Sequence, residues 1–107
     1  MTANIRFKKG ASCSDQLKVL ILDDEKPFTE ELNEFFQNTG YKSFEANTWD
    51  EAQEILRNEK IDLLILDVRL PQINGLDVLK KVKIDYSTIE VIIVSAHGDM
   101  DTVIAAL

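Results

Sequence analysis

Three acids and one hydroxyl stand out in this sequence because each directly follows an apolar run. Asp23 and Asp24 follow Val19-Leu20-Ile21-Leu22, Asp67 follows Leu63-Leu64-Ile65-Leu66, and Ser95 follows Val91-Ile92-Ile93-Val94. Brought together, three carboxylates repel one another and take up protons unless a cation sits among them. An all-oxygen set of this kind suits Mg2+, which keeps several waters and takes one or two carboxylates plus phosphate oxygens. A divalent ion beside a carboxylate, with a hydroxyl opposite, suits phosphoryl transfer: the ion offsets phosphate charge while the carboxylate attacks phosphorus to give an acyl phosphate. Taken singly, each residue has a plainer reading. Asp-Asp after a strand caps the next helix, and a lone Asp or Ser there is a turn former. Only joint placement gives the chemical reading.

That placement depends on the elements around the four residues. Runs apolar on both faces are buried strands of a parallel sheet, and in open α/β sheets ligands bind in the crevice outside the carboxyl ends of such strands. The first strand spans Leu17 to Leu22. Pro27 then stands where a helix has its N1 residue, and Phe28, Leu32, Phe35 and Phe36 form the expected core-facing stripe, with Gly40 as the stop. Tyr41 to Ala46 is a shorter, less apolar strand, expected near a sheet edge. Thr48 and Glu51 have capping-box spacing at the head of a second helix that buries Ala52, Ile55 and Leu56, with Trp49 shielding its start. After the strand ending in Asp67 comes a loop with Pro71 and Asn74-Gly75. A third helix from about Leu76 to Lys83 is expected to bury Leu76, Leu79 and Val82 and to turn Lys80, Lys81 and Lys83 to water. Glu90 to Val94 is the fourth strand. A last helix, capped by Asp99 or Asp101, is expected to carry Val103, Ile104 and Leu107. Strands alternating with helices predict a parallel, doubly wound α/β sheet with right-handed crossovers.

Composition narrows the function. The 107 residues are 45% hydrophobic and 29% charged, which fits one soluble globular domain. Acids outnumber bases 19 to 12, for a net charge of −7, so direct nucleic-acid binding is not expected, whereas cations and basic partner surfaces are. The single cysteine, Cys13, excludes an internal disulfide and fits a reducing compartment. No apolar run approaches the roughly 20 residues of a membrane-spanning helix, and the first residues lack the apolar core of a signal peptide. A cytoplasmic protein without a membrane partner is the expectation. Residues 1–16 read as a flexible leader before a domain spanning 17–107.

At these residues the chain resembles the receiver domain of two-component response regulators. The resemblance runs from Leu17 to Leu107 and rests on Leu22-Asp23-Asp24-Glu25, on Leu66-Asp67 followed by Pro71 and Gly75, and on Val94-Ser95-Ala96 followed by Gly98. It implies a flavodoxin-like fold with strand order 2-1-3-4-5. It also implies that Asp67 is the phosphoacceptor, taking a phosphoryl group from a phosphohistidine of a sensor histidine kinase or phosphotransfer protein. Asp24 would hold Mg2+ directly, Asp23 mainly through water, the backbone carbonyl of Arg69 would be a further ligand, and Ser95 would be the switch hydroxyl. Arg69 and His97 occupy positions that in the family tune hydrolysis of the aspartyl phosphate. Such a module promotes its own phosphorylation and dephosphorylation and turns over no metabolite, so it is not an enzyme in the ordinary sense.

The sequence departs from the family beyond Ser95, where the family's switch aromatic has no counterpart. The family's phosphate-binding lysine ends a fifth strand beyond Ser95, and no lysine here matches it. The expectation is a (βα)5 receiver fold lacking the fifth strand and fifth helix and ending in the fourth helix. Such a chain is expected either to be part of a longer parent that could carry an effector domain or to pair as a homodimer through an exposed fourth-strand edge. A degraded receiver serving only interaction or dimerisation is the alternative reading. An aspartyl phosphatase would want a second acid where Arg69 stands, and a nucleotide or flavin binder would want a glycine-rich loop after the first strand.

Overall fold

The computed structural model describes residues 16–67, 70, 73–95 and 103–106, with the side chains of residues 95 and 103–106 left aside. The expected leader residues 1–15, with Cys13, lie outside this set, as do Arg69, His97, Asp99 and Asp101. Five strands, β1 (Lys18–Leu22), β2 (Lys42–Ala46), β3 (Leu63–Asp67), β4 (Glu90–Ser95) and β5 (Val103–Ala106), form one sheet in the order β2-β1-β3-β4-β5. The first four run parallel. Three helices connect them: α1 (Lys26–Asn38), α2 (Trp49–Asn58) and α3 (Gly75–Asp85). The architecture is flavodoxin-like and doubly wound, as expected, and none of its helices among the described residues is long and apolar enough to cross a membrane.

Period-two alternation along each strand splits the core into two layers. Leu20, Leu22, Leu64, Leu66 and Val91 face one side, where they meet Ala52 and Leu56 of α2 and Val78 and Val82 of α3. Val19, Ile21, Leu63 and Ile65 face the other side and meet Phe36 of α1, with Leu32, Tyr41, Ile92 and Val94 around them. Because both faces are covered, β1 and β3 must be apolar throughout, which is why they read as unbroken runs. The polar β2 lies at the sheet edge, where its sequence put it.

Helix ends follow local chemistry. Pro27 lies in the first turn of α1, and Thr39 caps its end. Gly40 then takes φ +97, a left-handed conformation in which a side chain would be strained, and Tyr41 N–H returns to Phe36 O at 3.0 Å. Thr48 Oγ1 accepts from the Glu51 amide at 3.1 Å at the head of α2, while the Glu51 carboxylate accepts from the amide of Asn47 rather than Thr48. Asn74 Oδ1 accepts from Leu76 N–H at 2.8 Å to start α3.

Several expectations are corrected. Phe35 is 56% exposed, whereas Thr29 is fully buried. At 100° per residue the inward face of α1 runs along Thr29, Asn33 and Phe36, roughly a third of a turn from the Phe28–Phe35 line. In α3 the buried line is Gly75, Val78 and Val82, with Leu79 partly buried beside it. Leu76 is exposed. Lys83 does not simply face water, since its ammonium donates to Ile89 O at 3.1 Å. Gln16, placed in the leader, bonds Gly40 O through Nε2 at 3.1 Å. The largest correction is at the last element. Residues 103–106 form a strand, not a helix, and β5 pairs antiparallel to β4 from Ile92 to Ser95. A short apolar run such as Val-Ile-Ala-Ala is ambiguous by pattern, and the unfilled ladder of β4 decides it. The edge of β4 expected to be open, and to template a homodimer, is therefore occupied by the chain itself.

Candidate functional site

The parallel ladder brings the strand ends together. Leu22 of β1 is in register with Leu66 of β3, so Asp23 and Asp67 follow at the same edge. Asp67 is in register with Val94 of β4, which places the backbone of Ser95 at that edge as well. Asp67 is 3% exposed and Asp23 is 8% exposed, while Asp24 lies at the surface. One carboxylate oxygen from each of the three acids lies within 4.8 Å of the others. Of the residues singled out from the sequence, the structure therefore joins Asp23, Asp24 and Asp67. Ser95 comes to the same edge by its backbone, and Arg69 lies outside the described residues.

The turn after β1 is fixed by hydrogen bonds on every side. Asp23 N–H extends the ladder to Ala46 O at 3.1 Å. Its Oδ1 accepts from Glu25 N–H at 2.9 Å, which folds the turn back and leads into α1, whose N-cap residue is Glu25. Its carbonyl accepts from Asn47 Nδ2 at 2.8 Å.

The electrostatics follow from that crowding. Burial pushes the Asp23 carboxyl from 3.8 up to about 7; the Glu25 amide opposes the rise, and the charge of Asp67, a hydrogen bond with Asp24 and the charge of Asp24 add to it. Neither the Lys18–Glu59 pair nor the Arg57–Glu54 pair lies here. Oxygen ligands about 2.0–2.1 Å from Mg2+ stand roughly 3 to 4 Å apart, so this donor set needs only a small contraction to hold that ion. The residues fit the group. Asp24 leaves its side of the site exposed. A concavity of about 330 Å3 lined by Leu56, Arg57, Ile61, Tyr86 and Ile89 lies at the opposite ends of the strands, away from the acids.

One group of residues escaped the sequence reading. Thr29 Oγ1 donates to Glu45 Oε1 or Lys26 O, both at 3.0 Å, and accepts from Asn47 Nδ2 at 3.1 Å. Asn33 Nδ2 donates to Glu45 Oε2 at 3.3 Å, and Ser43 Oγ donates to Asn33 O at 3.1 Å. A signal for it exists: Ser43, Glu45 and Asn47 are polar at period two, and Thr29 and Asn33 are polar at i, i+4. A strand row and a helix row of matching polarity belong against each other.

A family model described as the response regulator receiver domain matches residues 19–107. The sporulation initiation phosphotransferase F of Bacillus subtilis (strain 168) is 37% identical over 86 residues, covering 80% of this chain and 69% of that protein. The alginate biosynthesis transcriptional regulatory protein AlgB of Pseudomonas syringae pv. tomato is 33% identical across 91% of this chain, which spans only 22% of that relative. Among solved structures, the response regulator protein TrrA of Thermotoga maritima in complex with Mg2+-BeF is 30% identical with a TM-score of 0.70. The match covers 78% of this chain and 72% of that one. A response regulator receiver protein from Pseudomonas putida matches with a TM-score of 0.72 at 28% identity, over 79% of this chain and 72% of that one.

Proposed function

The chain belongs to the family of response regulator receiver domains, and from that membership we propose that it is a phosphoacceptor switch whose acceptor is Asp67. The observation that carries the proposal is the meeting of the Asp23, Asp24 and Asp67 carboxylates at one strand edge. A carboxylate oxygen of Asp67 attacks the phosphorus of a phosphohistidine on a histidine kinase or phosphotransfer protein. The new P–O bond forms as the P–N bond breaks, and the electron pair returns to the imidazole nitrogen. Bound Mg2+ supplies positive charge for the phosphoryl oxygens.

The chain's own residues do the rest. Asp24 would hold the ion directly and Asp23 mainly through water, with the Arg69 carbonyl as a further ligand. β3 aims Asp67 out of a dry strand end, which limits competing hydrogen bonds from water. Ser95 is the hydroxyl that reads the phosphoryl group. Output passes to an effector, a role supported by relatives named as transcriptional regulatory proteins.

The test is incubation with Mg2+ and acetyl phosphate, followed by intact mass. The expected result is a gain of one phosphoryl group that Asp67→Asn abolishes. No gain at high Mg2+, or an equal gain in Asp67→Asn, overturns the reading.

A further inference from the structure

We propose that Asn47 is a positioning residue for the acidic site, its side-chain amide locking the β1–α1 turn in the form that presents Asp23 and Asp24 to Asp67. The inference rests on the reading of those acids as a cation and phosphoryl site.

Asn47 belongs to neither the acids nor their turn. It follows β2, immediately before the Thr48 cap of α2, and its own N–H is held by Glu51 Oε1 at 2.7 Å. From there Nδ2 reaches two other elements at once: the Asp23 carbonyl at 2.8 Å and the buried Thr29 hydroxyl of α1 at 3.1 Å. A primary amide has two hydrogens to give, so one nitrogen serves both acceptors. A hydroxyl has one hydrogen and a carboxylate has none.

The target of the first bond gives the contact its consequence. The Asp23 carbonyl belongs to the peptide plane that joins Asp23 to Asp24. Its rotation sets where the Asp24 backbone, and with it the Asp24 carboxylate, points. The end of β2 and the residue after it grip Asp23 on both sides of its Cα, the N–H through Ala46 O and the carbonyl through Asn47. Without the second grip the peptide plane is free to turn about the first. The Glu25 N–H bond to Asp23 Oδ1, which depends on the same turn, is then weakened.

The test uses the whole chain and Mg2+ alone, titrated calorimetrically, with amide exchange measured in EDTA. Asn47→Ala is expected to weaken Mg2+ binding about tenfold, the scale on which supports behind metal ligands act, and to speed exchange of the Glu25 amide at least several-fold. Ser43→Ala removes another bond of the same polar interface, remote from the acids, and is expected to lower the melting temperature while leaving Mg2+ affinity within twofold. Asn47→Ser, with one hydrogen to give, should fall between the unaltered chain and Asn47→Ala, and covers the case in which the alanine variant does not fold. Mg2+ affinity of an Asn47 variant within twofold of the unaltered chain overturns the proposal, however far its melt drops. If the unaltered chain itself binds no Mg2+, the cation reading is what fails. The exchange arm needs no cation and then decides the role of Asn47: unchanged Glu25 exchange overturns it.

Discussion

The two faces of the sheet are built on different physics. Under α2 and α3 the contact is apolar from edge to edge, with Leu20, Leu22, Leu64, Leu66, Val78, Val82 and Val91 buried together. Under α1 it is mixed: an apolar strip of Val19, Ile21, Leu63, Ile65 and Phe36 lies over the centre, and a hydrogen-bonded strip of Thr29, Asn33, Ser43, Glu45 and Asn47 lies over β2. Apolar contact is non-directional and roughly proportional to area, so the first face gives stability and tolerates small slides. Hydrogen bonds are directional, so the second face fixes the rotation and register of α1 against β2. The acidic turn leaves the sheet on that second side, in the row of Val19 and Ile21. Precision lies next to the chemistry, and bulk stability lies opposite.

The comparison breaks most visibly in the apolar layer. Leu20→Ala, at a fully buried position under α2 and α3, should cost about 3–4 kcal/mol, read as a loss of chemical-denaturation stability. A loss under about 1 kcal/mol would mean that this layer is not the main source of stability.

On the polar strip, Thr29→Val keeps the shape but removes the hydroxyl that Asn47 and Glu45 share. With those groups left short of a partner it should cost about 2 kcal/mol, or about 10 °C in melting temperature for a domain of this size. A melt unchanged within error would show that the strip is ornamental and that α1 is held by Phe36 and its neighbours.

A smaller, graded effect is expected from pH. Asp23 holds its proton to about 7 when folded, above its ordinary 3.8, so its stabilising contribution is complete below 3.8 and fades as pH rises through 7. In EDTA, stability should fall between about pH 4 and pH 7 by no more than about 1.4 kcal/mol per pH unit, and level off above that. Asp23→Asn should flatten that slope, since it keeps the shape without the titration. A slope of the opposite sign, or one that survives Asp23→Asn, would place the proton elsewhere.

What could be read from the sequence tracks where the two kinds of physics apply. The strands and their terminal acids were legible because β1 and β3 are covered on both faces and must be apolar throughout; Asp23 and Asp67 interrupt those runs. The inward face of α1 was not, because two of its positions are Thr29 and Asn33, and a search for apolar periodicity passes over them to Phe28 and Phe35. In α3 the apolar letters at Leu76, Val78, Leu79 and Val82 fit two overlapping stripes, and packing takes the one that turns Val78 inward and leaves Leu76 exposed. Residues 103–106 carry too few letters to choose between helix and strand; the vacant ladder of β4 chooses for them. Asn47 stands in the period-two polar row of Ser43 and Glu45, but its bond to the distant Asp23 carbonyl is a contact that no local pattern encodes.

The antiparallel return of β5 has a consequence for the order of folding. Parallel pairs such as β3 with β4 bring together residues separated by a whole crossover, and contacts of that kind form slowly. The β4–β5 pair joins residues on either side of one short connection, with Ser95 opposite Val103, and pairs of that kind close on the microsecond scale. β4 can thus enter the sheet already paired on one side. Its apolar, β-branched strand then spends little of the folding time as an open template for other copies of the chain.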